Sequence, residues 1–259
     1  MKINICGINI DKYTFDEVLK TITHQALTGK TPQYVVTPNA QHILTLQKDT
    51  HFREIYQKAF LVVPDGVSLL WAAKFLKIPL NGRVNGTDLF EKLCAMASPA
   101  AGIAPEKGLK IFLLGGRPGA AEKAKEILEA RHPGINIVGT NCPPYGFESQ
   151  PAQLELINSQ IKAAAPHILF VGLGAPKQEY WIYDHYQELN VPISIGIGVS
   201  FELVADMVRR APVWMQKMGL EWFFRLIVEP RRLWQRYIMG NPQFIWLVLK
   251  QRLGLSKFD

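Results

Sequence analysis

The chain alternates short apolar runs with longer segments whose apolar residues recur at helical spacing. The apolar runs, each of which predicts a buried strand, cover residues 34–36, 59–63, 109–114, 135–139, 167–171 and 191–197. The segments that predict helices cover residues 40–50, 67–76, 120–131, 154–164 and 179–189. Strands that alternate with helices of this length are typical of βαβ units, and uninterrupted apolar strands are typical of a sheet covered on both faces. The pattern predicts an α/β fold, with a mostly parallel Rossmann-like sheet core flanked by helices.

Charge divides the chain into two parts. Residues 1–208 contain 19 Lys+Arg and 19 Asp+Glu, whereas residues 209–259 contain 10 and 3 and so carry the whole net charge of +7. Four of the six tryptophans also lie in residues 209–259. We therefore predict an α/β core at 1–208 and a helical, basic and aromatic appendage at 209–259. Within the appendage, an apolar segment at 213–228 and helices at 231–239 and 244–253 are separated by Glu229-Pro230 and by Gly240-Asn241-Pro242.

Several classes of protein are disfavoured by composition. A chain of 259 residues is long enough to bury a core without disulfides or a structural metal. Its three cysteines form no CxxC pair and its six histidines no HxxxH pair, so we expect neither a metal site nor a bound cofactor. The first residues lack the apolar core of a signal peptide, and no run of about 18 apolar residues predicts a membrane span. We expect a cytoplasmic protein.

Candidate chemistry lies in the loops that follow the predicted strands, where ligands bind in open α/β sheets. Asp65 follows the second apolar run and precedes a glycine. It is compatible with an Asp-Gly turn or with a general base held at a strand end. The glycine-rich loop at residues 115–119 is compatible with a plain turn or with a phosphate site at a helix N-terminus. It does not match the dinucleotide or Walker A patterns.

Arginines provide candidate anion sites. Arg83 lies among glycines and asparagines, where it could bind an anion or simply face solvent. The appendage contains four more arginines that are candidates for an anion site, at Arg225, Arg231, Arg232 and Arg236. Their aromatic surroundings allow a solvated basic face, a membrane-surface helix pair, a lid over an anionic substrate or a nucleic-acid patch. The neutral core and the absence of a known nucleic-acid module disfavour the last, so we expect no nucleic-acid partner.

Taken together, these motifs resemble the WecG/TagA/CpsF family, which is glycosyltransferase family 26. The matching stretches, in order along nearly the whole chain, are Thr37-Pro38-Asn39, Val63-Pro64-Asp65-Gly66, Gly82-Arg83-Val84-Asn85-Gly86-Thr87-Asp88, Leu113-Leu114-Gly115-Gly116, Gly172-Leu173-Gly174-Ala175-Pro176-Lys177-Gln178-Glu179, Arg210-Ala211-Pro212, Leu220-Glu221-Trp222-Phe223-Phe224-Arg225-Leu226 and Glu229-Pro230-Arg231-Arg232. The resemblance implies an inverting, metal-independent transferase. It would move a sugar, N-acetylmannosamine or a related hexose, from a UDP-sugar to a polyprenyl-diphosphate-linked N-acetylglucosamine or similar saccharide of the cell envelope.

The resemblance also implies roles for individual residues. Asp65 would be the catalytic base. The substrate pocket would be lined by Thr37, Asn39, Arg83, Asn85, Gly115, Gly172, Gly174 and Gln178. The diphosphate would meet Arg225, Arg231, Arg232 and Arg236, because the appendage would close over the active site and contact an anionic membrane surface.

Such a protein would be peripheral on the inner face of the cell membrane, and a homo-oligomer is compatible with the sequence. Two alternatives remain open from the sequence. One is a non-catalytic nucleotide-binding α/β module recruited to the membrane by its basic tail. The other is a soluble nucleotide-sugar enzyme such as an epimerase, which would need no lipid acceptor.

Overall fold

The architecture is that of a parallel sheet with helices on both faces. A computed structural model describes residues 2–99, 108–256 and 258, apart from the side chains of Lys217, Arg232 and Arg236. The strands are β1 (Lys2–Ile5), β2 (Ile8–Asp11), β3 (Gln33–Val36), β4 (Leu61–Val62), β5 (Lys110–Gly115), β6 (Asn136–Asn141), β7 (Ile168–Gly172) and β8 (Ile193–Gly196). The last six form one sheet in the order β4-β3-β8-β7-β5-β6, in which every pairing is parallel. The predicted fold class is confirmed.

Helices cover both faces of this sheet and form the appendage. In the core they are α1 (Phe15–Thr28), α2 (Ala40–Leu46), α3 (Thr50–Lys58), α4 (Val67–Phe75), α5 (Gly86–Ala97), α6 (Ala120–Arg131), α7 (Pro151–Ala164), α8 (Lys177–Leu189) and α9 (Ser200–Val204), with a 3₁₀ turn at Phe147–Ser149. In the appendage they are α10 (Val213–Lys217), α11 (Glu221–Val228), α12 (Pro230–Trp234) and α13 (Gly240–Arg252).

Successive strand residues enter two different apolar clusters. In β3, Tyr34 and Val36 pack in one cluster, and Val35 packs in the other. In β7, Phe170 faces the opposite cluster from Leu169 and Val171. Side chains alternate between the faces of a strand, so the central strands of a sheet covered on both faces are mostly apolar along their whole length. This is the physical origin of the uninterrupted apolar runs in the sequence.

The N-terminal hairpin and α1 are absent from our sequence predictions. The strands β1 and β2 pair antiparallel around a two-residue turn, Cys6-Gly7, in which both φ angles are positive (48° and 91°). Such a turn matches the twist of a hairpin, but glycine or asparagine normally occupies its first position. Helix α1 begins with a capping box, in which the backbone N–H of Thr14 donates to Glu17 and that of Glu17 to Thr14 Oγ1.

The helix predicted at residues 40–50 is two helices. Helix α2 ends at Leu46, and α3 begins at Thr50. Asp49 caps α3, because its Oδ1 accepts the backbone N–H of Phe52 at 2.9 Å. Aspartate is a preferred cap since it satisfies a backbone donor that the first turn leaves unpaired. The strand predicted at residues 59–63 is also shorter in the structure, because only Leu61–Val62 pairs as β4.

The predicted break at Gly240-Asn241-Pro242 is wrong. A π-helical segment, Gln235–Met239, joins α12 to α13, so the helix continues from Pro230 to Arg252. Proline normally breaks a helix because it lacks an N–H and its ring crowds the preceding turn. Here the preceding turn is the wider π-helical one, which changes the hydrogen-bond pattern where Pro242 cannot donate. The predicted break at Glu229-Pro230 is confirmed, since α11 ends and α12 begins there.

The appendage packs on the core mainly through α13. Phe244 and Val248 are buried in the apolar cluster that also contains Ile43 and Leu44 of α2. Gly240 allows this approach, since a Cβ there would lie 3.3 Å from Oε1 of Gln41 and 3.4 Å from Leu44 Cδ1. At its far end, α13 is tied to the N-terminal hairpin. Gln251 Oε1 accepts the Cys6 N–H at 2.8 Å, and its Nε2 donates to the Asn4 carbonyl at 3.0 Å.

Candidate functional site

Two loops meet where β3 and β4 end. These strands are neighbours and run parallel, so the residues that follow them emerge at the same edge of the sheet. The backbone N–H of Asp65 donates to the Pro38 carbonyl at 3.0 Å, which joins the two loops directly. Asn39 caps α2 by accepting the Gln41 N–H at 3.0 Å. The packing is close, because a Cβ on Gly66 would lie 3.2 Å from the Cβ of Asn39.

A third loop, which carries Arg83, is fixed against the second. The Val84 N–H donates to the Pro64 carbonyl at 2.8 Å. The Gly86 N–H donates to Oδ1 of Asp65 at 3.1 Å. Asn85 caps α5, because its Oδ1 accepts the backbone N–H groups of Thr87 at 2.9 Å and of Asp88 at 3.2 Å. The carboxyl of Asp65 is thus held by a backbone N–H from a loop about 20 residues farther along the chain.

The appendage brings a buried carboxylate and an arginine to these loops. Gly219 adopts a left-handed conformation (φ 72°), and a Cβ there would lie 2.8 Å from Val67 Cγ1, at the start of α4. Two residues later, Glu221 is only 6% exposed. Its carboxylate meets three guanidinium groups, those of Arg83 at 3.5 Å, Arg225 at 3.5 Å and Arg210 at 3.8 Å.

Three of these groups, Arg83, Glu221 and Arg225, line a cavity of about 350 Å³ between the core and the appendage. Its polar wall comprises Asn39, Gln41, Asp65, Ser68, Arg83, Asn85, Glu221, Arg225, Tyr237 and Asn241. The remaining wall is mostly apolar and comes from α2, α4 and α13. A concave, largely apolar site with a few converging polar groups is the usual form of a small-ligand site. Five of the residues named from the sequence therefore lie together: Asn39, Asp65, Arg83, Asn85 and Arg225.

The electrostatics of Asp65 suit proton transfer. Burial raises the pKa of its carboxyl above the ordinary 3.8, and the nearby Glu221 carboxylate acts in the same direction. The Arg225 guanidinium opposes this rise most strongly, followed by the Gly86 N–H and by Arg83. A carboxylate with a raised pKa is a better proton acceptor near neutral pH than an ordinary surface aspartate.

Five other candidate residues lie outside the cavity wall. Thr37 is buried, and its hydroxyl donates to the Gly196 carbonyl at 3.4 Å. Gln178 is buried inside α8, not in the loop predicted for it, and its Oε1 accepts the Gly198 N–H at 2.9 Å. The glycines Gly115 and Gly172 pair directly across β5 and β7. Each lies against neighbouring atoms, since a Cβ on Gly115 would be 2.8 Å from Gly172, whereas a Cβ on Gly174 would meet open space.

The other arginines occupy different environments. Arg231 is exposed on α12. The side chains of Arg232 and Arg236 lie outside the described part of the structure. Arg117, from the glycine-rich loop, donates to Glu229 at 3.1 Å, and its backbone N–H donates to Glu202 at 3.0 Å. It thereby links that loop to the appendage.

The sequence reasoning assigned no role to Glu221, nor to Arg210, which pairs with it beside the cavity. It also missed four polar residues of the wall: Gln41, Ser68, Tyr237 and Asn241. Arg210 donates to Asp88 Oδ1 at 2.5 Å, which anchors the start of the appendage to α5. One signal was present: Glu221 is one of only three acidic residues among the ten basic ones of residues 209–259. A carboxylate in a segment so rich in cations is a natural centre for arginine pairing.

Two observations concern metals and membranes. Among the described residues, no three His, Cys, Asp or Glu side chains lie close enough to hold a metal ion together. None of the described helices combines the length and the apolar character needed to cross a bilayer.

Comparison with known proteins gives the family. The model of the glycosyl transferase WecG/TagA/CpsF family matches residues 3–258. A Bacillus subtilis (strain 168) protein named N-acetylglucosaminyldiphosphoundecaprenol N-acetyl-beta-D-mannosaminyltransferase is 29% identical over 224 residues, which are 86% of this chain and 82% of that protein. A Staphylococcus aureus (strain NCTC 8325 / PS 47) protein of the same name is 27% identical over 257 residues, 99% of this chain and 95% of its own length. The chain with this cavity belongs to the WecG/TagA/CpsF family and is a glycosyltransferase.

Proposed function

We propose that the chain transfers N-acetylmannosamine or a related hexose from a UDP-sugar to a polyprenyl-diphosphate-linked N-acetylglucosamine or similar lipid-linked saccharide. The product would serve cell-wall or surface polysaccharide synthesis. The observation that carries this proposal is the joint placement of Asp65, Arg83 and Arg225 in one cavity. The names of the two relatives agree, because each names a mannosaminyl transfer onto a diphosphoundecaprenol-linked sugar. The family assignment favours this enzyme over a non-catalytic nucleotide-binding module.

In this mechanism, Asp65 is the general base. Its carboxylate accepts the proton of the acceptor hydroxyl while the hydroxyl oxygen bonds to the anomeric carbon of the donor. The bond from that carbon to the UDP oxygen breaks, and UDP departs with the electron pair. Attack from the face opposite the leaving group inverts the anomeric centre. A positioned base contributes about 10²–10⁴-fold to such a reaction.

The arginines offset the charge that develops on the leaving diphosphate. A guanidinium has five N–H donors, and the ion pairs of Arg83 and Arg225 with Glu221 each engage one terminal nitrogen. The other donors of these two groups remain for phosphate oxygens. Preorganised donors of this kind stabilise transition-state charge in a site that excludes water. We assign Arg232 and Arg236 to the same diphosphate region, because they lie on the helix that leads to Tyr237 at the cavity. Arg231, which is exposed on α12, would make only a peripheral contact with the diphosphate.

The remaining candidates support the site from its edges. Thr37 and Gln178 would set the strand ends on which Asn39 and Asp65 stand. Gly115, Gly172 and Gly174 form the neighbouring part of the same sheet edge, where they would receive the nucleotide end of the donor. The appendage at 209–259 would close the site at an anionic membrane surface, which its exposed apolar and basic side chains favour.

The experiment is to measure UDP release from a panel of UDP-sugars, with and without a short-chain polyprenyl-diphosphate-N-acetylglucosamine acceptor. We expect release that depends on the acceptor and on one preferred donor. Asp65→Asn is the matched control for release that does not need the base. Release without an acceptor at the same rate would contradict the proposal, and so would the absence of release with every donor.

A further inference from the structure

The cavity beside Asp65 has a second, apolar end that the transfer chemistry does not use. This end is lined by one face of each of three helices, α2, α4 and α13. The residues recur one turn apart, as neighbours on a helical face do: Leu44 on α2, Trp71, Ala72 and Phe75 on α4, and Phe244, Ile245, Val248 and Leu249 on α13. We call this set the apolar groove.

Polarity changes along the cavity in a fixed direction. Asp65 and Gly66 immediately precede α4, and Ser68 of its first turn still lines the polar part. Trp71 follows one turn later, and Phe75 two turns later. At 1.5 Å per residue, the wall from Val67 to Phe75 is about 12 Å long. A ligand with its polar group at Asp65 would thus have an apolar wall of that length beside its other end.

The edges of the apolar groove are more exposed than its floor. Phe244 and Val248 are buried, whereas Trp71, Phe75 and Ile245 are 56%, 48% and 57% exposed. Large apolar side chains on both sides of an open cavity gain free energy when an apolar chain lies between them, because water leaves both surfaces.

We propose that the apolar groove binds the first isoprenoid units of the acceptor's polyprenyl chain. The proposal rests on the proposed function and specifies which part of the acceptor the cavity receives. The order of groups in the cavity matches the order in such an acceptor: the polar end at Asp65 and Ser68 suits a saccharide hydroxyl, and the apolar end at Trp71 and Phe75 suits a branched hydrocarbon. A phospholipid has no saccharide hydroxyl for Asp65, so the groove is assigned to the acceptor and not to the surrounding bilayer.

The first test compares two soluble acceptors that share the saccharide and diphosphate and differ only in the chain, a methyl group or a short isoprenoid. We expect wild type to prefer the isoprenoid acceptor by about tenfold or more in kcat/KM. Phe75→Ser and Ile245→Ser should each remove most of that preference. Because both side chains are about half exposed, these substitutions should leave folding intact, and circular dichroism checks this.

Ile238→Ser is the matched control. Ile238 is 60% exposed on the same long helix but lies outside the cavity wall. Its substitution should leave the preference for the isoprenoid acceptor unchanged. Loss of the preference to the same extent as in Ile245→Ser would show that the isoprenoid contacts a general apolar surface, and would overturn the groove. A wild-type ratio of kcat/KM near one for the two acceptors would also overturn it.

A binding experiment separates this proposal from the proposed function. A photoreactive isoprenyl diphosphate without a sugar should label peptides of α4 or α13 in the full chain. A lysophospholipid of similar chain length should compete poorly, and equal competition would overturn the groove. Labelling of these helices by a chain that transfers no sugar would uphold the groove and reject the proposed function.

Discussion

The core and the appendage use large apolar side chains in opposite ways. In the core, strand residues such as Val35 and Phe170 are fully buried between sheet and helices. In the appendage and the residue pair before it, residues 207–255 carry fourteen of the nineteen large apolar side chains that are exposed in the described part of the chain. Burial of apolar area is the main source of folding stability. The core therefore draws its stability mainly from its own buried apolar area, whereas the appendage leaves much of its apolar area exposed and is held by a few contacts with the core.

The same contrast appears in the site. The core provides Asp65 on a loop fixed by backbone hydrogen bonds, and the appendage provides Arg225, fixed by its ion pair with Glu221. The first arrangement persists wherever the sheet is folded. The second requires that the appendage be docked. In the proposed mechanism, proton transfer therefore depends on the core alone, whereas charge stabilisation depends on Arg83 of the core and on Arg225 of the appendage, so substitutions can separate the two contributions.

The largest effect should come from the core. Asp65→Asn keeps the shape of the side chain and an oxygen for the Gly86 N–H, but removes the proton acceptor. We expect transfer to fall by about 10²–10⁴-fold, with donor binding nearly unchanged in calorimetry. The matched control is Asp16→Asn, an exposed aspartate in the first turn of α1. Transfer near the wild-type rate in Asp65→Asn would reduce Asp65 to a turn residue.

In the appendage, two arginines should differ. Arg225→Gln removes a guanidinium from the cavity and should lower kcat by about 10–10²-fold, since a lost transition-state donor costs this much or more. Arg231→Gln, on the exposed side of α12, should have a much smaller effect in the same assay. Equal losses in the two variants would mean that the cavity does not mark the diphosphate site.

The pH dependence should couple the two regions. Since burial raises the pKa of Asp65, the acid limb of the kcat/KM profile should lie above the ordinary carboxyl value of 3.8. Arg225 favours the ionised carboxylate, so its removal raises the pKa of Asp65 further. We expect the acid limb of Arg225→Gln to lie at higher pH than that of wild type. An unchanged or lower limb would exclude Asp65 as the titrating base.

The smallest effect should come from the contact farthest from the chemistry. Gln251→Ala removes all three hydrogen bonds of this side chain to the N-terminal hairpin and should cost about 1–3 kcal/mol of appendage docking, since it leaves partly buried backbone groups unpaired. Hydrogen exchange should then rise in α13 while the sheet stays protected. Gln243→Ala, at an exposed position of the same helix, should leave exchange unchanged. An equal increase of hydrogen exchange in α13 and in the sheet of Gln251→Ala would mean that core and appendage unfold as one unit.

The sequence predicted the part of the site that follows from sheet geometry. Asn39 and Asp65 follow apolar runs, and parallel strands place such residues at one edge. The two runs also proved to be adjacent strands, which no local pattern reveals. The same principle offered Gly115 and Gly172, yet these glycines serve the close approach of β5 and β7 and leave the cavity wall to others.

The rest depended on contacts between distant segments. The roles of Glu221 and Arg210 follow from the docking of the appendage, which charge counting cannot supply. The helix through Pro242 was missed because a local rule for proline was overridden by a π-helical turn. The N-terminal hairpin had the alternating pattern Ile3, Ile5, Ile8 and Ile10, but Cys6-Gly7 is a weak turn signal beside Asn-Gly.

The hydrogen bonds of Gln251 have a mechanical consequence. The appendage is anchored at its start by Arg210 to Asp88 and near its end by Gln251 to the hairpin. A segment fixed at both ends cannot open by rotating as a rigid body about one end. It can open only if its middle moves away from the core or if one of the two end contacts breaks. The middle, where Arg225 and Tyr237 border the cavity, is held by the ion pairs of Glu221 with Arg83 and of Glu229 with Arg117. Outward movement that widens the entrance would therefore break these pairs while both end anchors hold.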